Sequence, residues 1–277
     1  SGNSSVQTNI TVGISEPNHD GNQEILDFIE PGIEKIDSSI DVKNRTAKLT
    51  FQVTDKYLSS NTLSSGSIQV LVNGSVNTSI NKQLTSTNLT EQRVENGTTS
   101  TVRYGTEYTL TLTGIDTTVN QIKVRIPEGT ITDTSENGNE EIEFMLYNVL
   151  KETSTEKNNM SSFLGNTNIQ RQNVENITFL DNIPEDVYDE SSNKFINNTA
   201  WDVSAQQDKS IIAWYETNDN GTMKVYIGSN NEIFGNVNSS YLFSFIGYSE
   251  NCTTTEVITN IDLLNTSNVT NMSKMFR

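Results

Sequence analysis

The side chains able to do chemistry are few and scattered. His19 is the only histidine of the chain. It stands in the turn-forming run Pro17 to Asn22, beside Asp20 and Gly21. A Ser-His-Asp hydrolase would have to use it, and no motif places a serine or cysteine nucleophile with it. Cys252 is the only cysteine, which excludes an intrachain disulfide and a zinc site built from several thiols. In Glu250-Asn251-Cys252-Thr253 it reads as a small, half-buried turn residue. Glycosidase chemistry needs two carboxylates facing each other across a cleft. Glu140, Glu141 and Glu143 are neighbours on or beside a strand, and two of them share a face. Asp186, Asp189 and Glu190 lie in a polar turn region. Neither set has the aromatic or glycine context of a cleft, so both read as solvated faces and no enzymatic role is expected.

Two turns supply oxygens suited to calcium, Asp133 to Asn139 and Asn218-Asp219-Asn220-Gly221. Neither has EF-hand spacing. No cofactor is expected, with calcium kept open at these turns. Aromatic side chains form the remaining candidate surface. Trp214, Tyr215, Tyr226, Tyr241 and Tyr248 are of the type that stacks on sugars or anchors a protein partner, although aromatics in strands are often core.

The composition limits the partners. The chain has 277 residues, room for two ordinary domains or one large all-β domain. Thirty-five acidic against 18 basic residues give a formal charge of -17, the wrong sign for holding nucleic acid through its phosphates. Only 33% of residues are hydrophobic, but they cluster in alternating runs, which argues for β structure with one wet face and against disorder. Asn-x-Ser/Thr triplets, as at Asn73, Asn88, Asn96 and Asn176, follow from abundant Asn, Ser and Thr and are not taken as glycosylation sites. No run is long and apolar enough to cross a bilayer as a helix. A signal and an anchor are expected outside this sequence, of which Ser1-Gly2 reads as a cloning remnant.

The elements carrying these residues are legible from period. Val6 to Ile14 reads as a strand. Ile36, Ile40 and Val42 lead to an Asn44-Arg45 turn. Ala47, Leu49, Phe51 and Val53 alternate with polar residues, as do Ile68, Val70 and Val72, then Tyr108, Leu110 and Leu112, then Ile122, Val124 and Ile126, then Ile142, Phe144 and Leu146. Asn73-Gly74 is a hairpin signal, and Asn96-Gly97 marks a second turn. Such regular spacing predicts an antiparallel sandwich. Lys151 to Ser162 reads as a polar linker. Ile211 to Glu216 and Met223 to Ile227 form a predicted hairpin around Asp219-Asn220-Gly221. Ser239-Ser240 is expected to cap a short helix holding Leu242, Phe243 and Ile246. Val257 to Leu264 is expected as a strand. Thr266-Ser267-Asn268 is expected to open a second short helix, with Val269, Met272 and Phe276 at helical spacing.

Residues 30 to 150 resemble the immunoglobulin-like modules strung along bacterial surface proteins. The resemblance rests on Val53-Thr54-Asp55-Lys56-Tyr57-Leu58, Tyr104 to Leu112 and Ile126 to Asp133. It implies an extracellular spacer or presenting module without an active site. Trp201-Asp202-Val203-Ser204, Ile212 to Tyr215, Tyr226-Ile227-Gly228, Ser239 to Phe243 and Thr266 to Phe276 look like the BspA-like leucine-rich-type surface repeats. Tyr241 to Phe245 echoes Met272 to Phe276 at an offset of about 30, within the range of repeat units.

The expected organisation is therefore mainly β. An Ig-like antiparallel β-sandwich covers residues 1-150, with 1-28 either the tail of a preceding module or a linker. A linker follows at 151-185. An α+β cap and the first repeat of a leucine-rich-type solenoid occupy 186-277. The family resemblance implies a non-enzymatic, exported bacterial cell-surface protein acting in adhesion or protein–protein contact. The expected partners are a host or matrix protein or a surface glycan. A monomer without nucleic acid or membrane insertion is expected. The alternative is a carbohydrate-binding module of a secreted polysaccharide-degrading system.

Overall fold

In the computed structural model, residues 28–55, 58–59, 63–95, 97–153, 162–254 and 257–276 are described. His19 and the strand expected at Val6 to Ile14 lie outside them. The described chain is mainly β, in several sheets.

The first half contains β1 (Gly32–Asp41), β2 (Thr46–Thr54), β3 (Gln69–Val72), β4 (Ser75–Val76), β5 (Asn81–Glu95), β6 (Thr98–Thr113), β7 (Gln121–Ile126) and β8 (Ile142–Asn148). They form two antiparallel sheets of four strands, ordered β1-β2-β6-β5 and β4-β3-β7-β8. The period-2 pattern fixes which faces meet. Leu49, Phe51 and Val53 of β2 and Leu110 and Leu112 of β6 turn into one core with Val70, Val124, Ile126, Phe144 and Leu146 of the other sheet. The Phe51 ring stacks on Tyr108 at 5.3 Å and meets Phe144 at 5.9 Å between centroids. The predicted hairpin at Asn73-Gly74 is present. Both residues are left-handed, at φ 50° and 79°, the conformation that a two-residue turn between twisted strands requires and that Asn and Gly tolerate.

The second half contains β9 (Val174–Leu180), β10 (Tyr188–Asp189), β11 (Lys194–Phe195), β12 (Trp201–Asp202), β13 (Ile212–Thr217), β14 (Met223–Gly228), β15 (Ile233–Phe234), β16 (Ile258–Thr259) and β17 (Leu264–Asn265). A mixed sheet runs β12-β13-β14-β9-β16. Its β12, β13 and β14 are antiparallel, whereas β9 lies parallel to both β14 and β16. One face builds a second core from Ile177, Phe179, Ala213, Val225 and Ile227.

Three expectations need correction here. The segment 151-185 is not only a linker. β9 lies inside the second sheet, and Phe163, Leu164 and Ile169 are fully buried in its core, so this unit begins well before residue 186. The cap contains no α-helix among the described residues. Leu242, Ser244 and Ile246 each donate their backbone N–H three residues back, to Ser239, Tyr241 and Phe243. Tyr241 and Phe245 are left-handed at φ 62° and 64°, and no right-handed helix passes through such residues. The outer segment behaves likewise, with Lys274 at φ 56°. Of the strand expected over Val257 to Leu264, only β16 and the start of β17 form, separated by a 3-10 turn at Ile261–Leu263.

The two halves are joined by backbone pairing. Past the end of β8, Val149 bridges Phe234 of β15 in parallel, and Leu150 N–H donates to the Phe234 carbonyl at 2.9 Å. β15 then pairs in parallel with β17. Phe234 belongs to the first core, edge-on to Tyr147 at 4.8 Å.

Candidate functional site

The cross-strand register decides what the outer face of the mixed sheet carries. Trp214 lies opposite Tyr226, and Tyr226 opposite Thr178. Glu216 lies opposite Lys224, and Lys224 opposite Asn176. These residues alternate with the core-facing set and so share the other face. One end of that face is roofed by the segment carrying β10 and β11, whose Val187, Tyr188 and Phe195 pack on Ile212 and Trp214. The other end is open. There a groove of about 560 Å³ is lined by Asn176, Thr178, Lys224 and Tyr226 from the sheet. Asn218 and Asn220 from the β13–β14 turn, Thr253 and Thr254, and Glu175 complete its wall.

Glu175 holds the groove together rather than reacting in it. One carboxylate oxygen accepts from the Thr253 and Thr254 backbone N–H groups and the Thr253 hydroxyl, each at 3.1 Å. The other accepts from the Thr222 hydroxyl at 2.6 Å and Asn218 Nδ2 at 3.1 Å. The Thr222 hydroxyl, the Thr253 backbone and the remaining donors favour the charged form and hold the carboxyl at about 2, below its ordinary 4.5. A carboxylate so saturated is a poor general acid or base at neutral pH. It ties the β13–β14 turn to the 253–254 segment.

Tyr226 is the aromatic group of the groove. Its ring stacks on Trp214 at 5.4 Å, 17° from parallel. Its hydroxyl donates to Glu216 Oε2 at 3.1 Å. Burial, then that bond and the Glu216 charge, push the phenol pKa up. Trp214 is only 6% exposed. It is seated over Gly228, where an added Cβ would lie 3.3 Å from the indole and 2.5 Å from the Asn182 carbonyl oxygen. Lys224 is exposed, and its ammonium has no ion pair or hydrogen bond among the described residues.

The five aromatics singled out by the sequence do not form one surface. Trp214 and Tyr226 meet at the groove. Tyr215 is on the opposite, core face, 6.4 Å from the Trp201 ring. Tyr241 lies in the cap turn beneath the Lys274 ammonium, 5.6 Å away. Tyr248 is 74% exposed beside Phe245.

Of the candidate carboxylates, Glu141, Glu143 and Asp189 are engaged elsewhere. Glu143 takes two bonds from Arg125, at 2.8 and 2.6 Å, and Glu141 lies 3.5 Å from the same guanidinium. Asp189 accepts from Ser191 and Ser192 and is held at about 2 by their hydroxyls and backbone. In the first calcium-type turn Asp133 accepts from the Ser135 and Asn137 backbone and from Asn137 Nδ2. In the second, Asn220 Oδ1 accepts from the Thr222 backbone N–H at 3.0 Å.

A smaller cleft of about 260 Å³ lies where the halves meet, lined in part by Lys123, Glu143, Tyr188 and Asp208. Gln121 donates to Asp208 at 2.6 Å and Ser210 to Asn148 at 3.0 Å across it. Comparison with protein-family models, with curated proteins and with solved structures gives no match in any of the three.

Proposed function

We propose that the chain is a non-enzymatic part of an exported bacterial surface protein, in which an Ig-like sandwich presents the cap and first coils of a BspA-like repeat domain for adhesion or protein contact. The observation that carries this reading is a backbone pairing between the sandwich and the second half. Just past β8, Val149 makes a single parallel bridge to Phe234 of β15, and β15 pairs with β17, so the second half is joined to the first through backbone as well as through the chain itself. The strand order supports the Ig-like assignment. β1-β2-β6-β5 matches the A-B-E-D sheet, and β3-β7-β8 the C-F-G sheet, of an immunoglobulin sandwich.

Stacking of two successive coils supports the repeat assignment. Asn271 Nδ2 donates to Asn238 Oδ1 at 2.9 Å, 33 residues earlier. Ser239, Tyr241 and Phe243 donate their N–H groups to the Asn271, Ser273 and Met275 carbonyls. The Phe243 and Phe276 rings stack at 5.4 Å. Units that bury their edges only against a neighbour are the logic of repeat arrays. The experiment is a binding screen of this chain against immobilised extracellular-matrix proteins and surface glycans. Saturable binding that survives mixing with the isolated sandwich supports the assignment. Turnover of any polysaccharide or peptide by the purified chain overturns it.

The secreted carbohydrate-binding module is the second reading. The Trp214–Tyr226 pair beside a groove of amides and hydroxyls favours it.

A further inference from the structure

The groove on the outer face of the mixed sheet is a built site, and we propose that it binds a neutral saccharide. The proposal deepens the surface-contact reading by naming the ligand class at one place, and it rests on that reading only for the ligand being extracellular. Three features carry it.

The first is shape. At about 560 Å³ the groove is within the size range of small-ligand sites. It is open at one end of a sheet face whose other end is roofed.

The second is pre-organisation. Thr178 donates to Asn176 Oδ1 at 2.7 Å, and Asn176 Nδ2 donates to Thr259 at 3.0 Å. Glu175 fixes Asn218 and Thr253 from behind. The polar atoms lining the groove are thus held before any ligand arrives, which lowers the entropy lost on binding. These hydroxyls retain lone pairs, and the Lys224 ammonium offers donors. Sugar hydroxyls both donate and accept, and so suit such a mixture. The Tyr226 ring, braced by Trp214, supplies the flat apolar surface against which the C–H face of a pyranose packs.

The third is charge. Within the groove the Lys224 cation is balanced by the Glu175 anion, and the whole chain carries -17. Polyanionic glycans are repelled by that field; a neutral one is not.

The test is titration of the chain, by calorimetry and tryptophan fluorescence, with short neutral oligosaccharides of glucose, mannose, galactose and N-acetylglucosamine. Hyaluronan and polygalacturonate fragments serve as acidic probes. At least one neutral series is expected to bind and to perturb the fluorescence of Trp214. Tyr226→Ala is expected to weaken binding by about tenfold or more, equivalent to about 1.4 kcal/mol. Because that change also unseats Trp214, Lys224→Ala is the second variant. Its side chain is exposed and unbonded, so the fold persists while affinity falls. No binding of any neutral series, binding of acidic fragments alone, or unchanged affinity in both variants overturns the proposal. If matrix-protein binding persists in the same preparation, the saccharide site alone has failed; if that is also absent, the surface-contact reading fails with it.

Discussion

Asn268 Oδ1 accepts a hydrogen bond from the backbone N–H of Val42 at 3.3 Å, across 226 positions of sequence. The residue lies just past β17, near the C-terminal end of the described residues, yet its side chain is spent on the turn after β1. It is 8% exposed, and its Nδ2 has no hydrogen-bond partner among the described residues. The Tyr147 hydroxyl faces it outside good hydrogen-bond geometry, and burial pushes that phenol up to about 12, opposed by its weak interaction with Asn268. Asn268→Ala leaves the Val42 N–H buried and unpaired, so a loss of about 1–3 kcal/mol is expected in chemical denaturation. Tyr147→Phe removes a buried polar atom with no well-formed hydrogen bond among the described residues and is expected to be neutral or slightly stabilising. A loss above about 2 kcal/mol in Tyr147→Phe would mean that the hydroxyl is bonded after all.

Acid should loosen the groove through Glu175. Its folded-state pKa is depressed from 4.5 to about 2, first by the Thr222 hydroxyl and then by the Thr253 backbone. A depressed acid contributes stability that is present above its unfolded value and lost as pH falls through the folded value. The window is therefore from 4.5 down to about 2. Asp189, also held at about 2, contributes in the same direction, so Glu175→Gln removes only part of the slope. Thermal unfolding from pH 6 to pH 2 should show a shallower acid fall in Glu175→Gln than in the parent. Identical slopes would mean that the carboxylate is not ionically engaged.

Gly228 decides where Trp214 sits. A Cβ there would approach the Asn182 carbonyl oxygen to 2.5 Å and the indole to 3.3 Å, and the first of these is backbone that cannot rotate away. Gly228→Ala is expected to cost about 1–3 kcal/mol by overpacking. It should also alter the near-UV dichroism of the Trp214–Tyr226 pair. A normal near-UV spectrum with parental stability would mean that the contact relaxes freely.

The sandwich was legible because its strands face one core and water alternately. Ala47, Leu49, Phe51 and Val53 point inward along β2, and Asn73-Gly74 marks its turn chemistry plainly. β5 was not legible. It is an edge strand paired only with β6 along its whole length, and Leu84 is its one apolar residue packed on the core, so no alternation survives. The expected cap helices misled for a different reason. Tight turns that bond three residues back repeat their apolar side chains at nearly helical spacing, as at Leu242, Phe243 and Ile246. The left-handed residues that separate the two cases, Tyr241, Phe245 and Lys274, are not residue types that signal it. At the groove, Trp214 and Tyr226 were visible as aromatics, but only the pairing of β13 with β14 brings them together. Glu175 carried no signal at all, because its partners come from segments far along the chain.

Arg171 holds the 239–247 turns from inside. It is 1% exposed. Its guanidinium donates to the Tyr241 and Leu242 carbonyls, at 2.8 Å from Nη2 to each, and lies 5.2 Å over the Phe163 ring. Those carbonyls belong to the turn in which Tyr241 is left-handed, so one planar fork holds a strained backbone, bonding the Leu242 carbonyl and reinforcing the Tyr241 carbonyl that already accepts from the Ser244 N–H. Arg171→Met keeps the stem but removes both donors, and a loss on the order of 3 kcal/mol is expected. Arg171→Lys should recover little, because a single ammonium cannot reproduce the fork or its stacking on the ring. Hydrogen exchange should localise the damage to residues 239–247 in both variants, with protection of β2 and β6 unchanged. Full recovery by lysine would mean that only the charge matters there, not the geometry of the guanidinium.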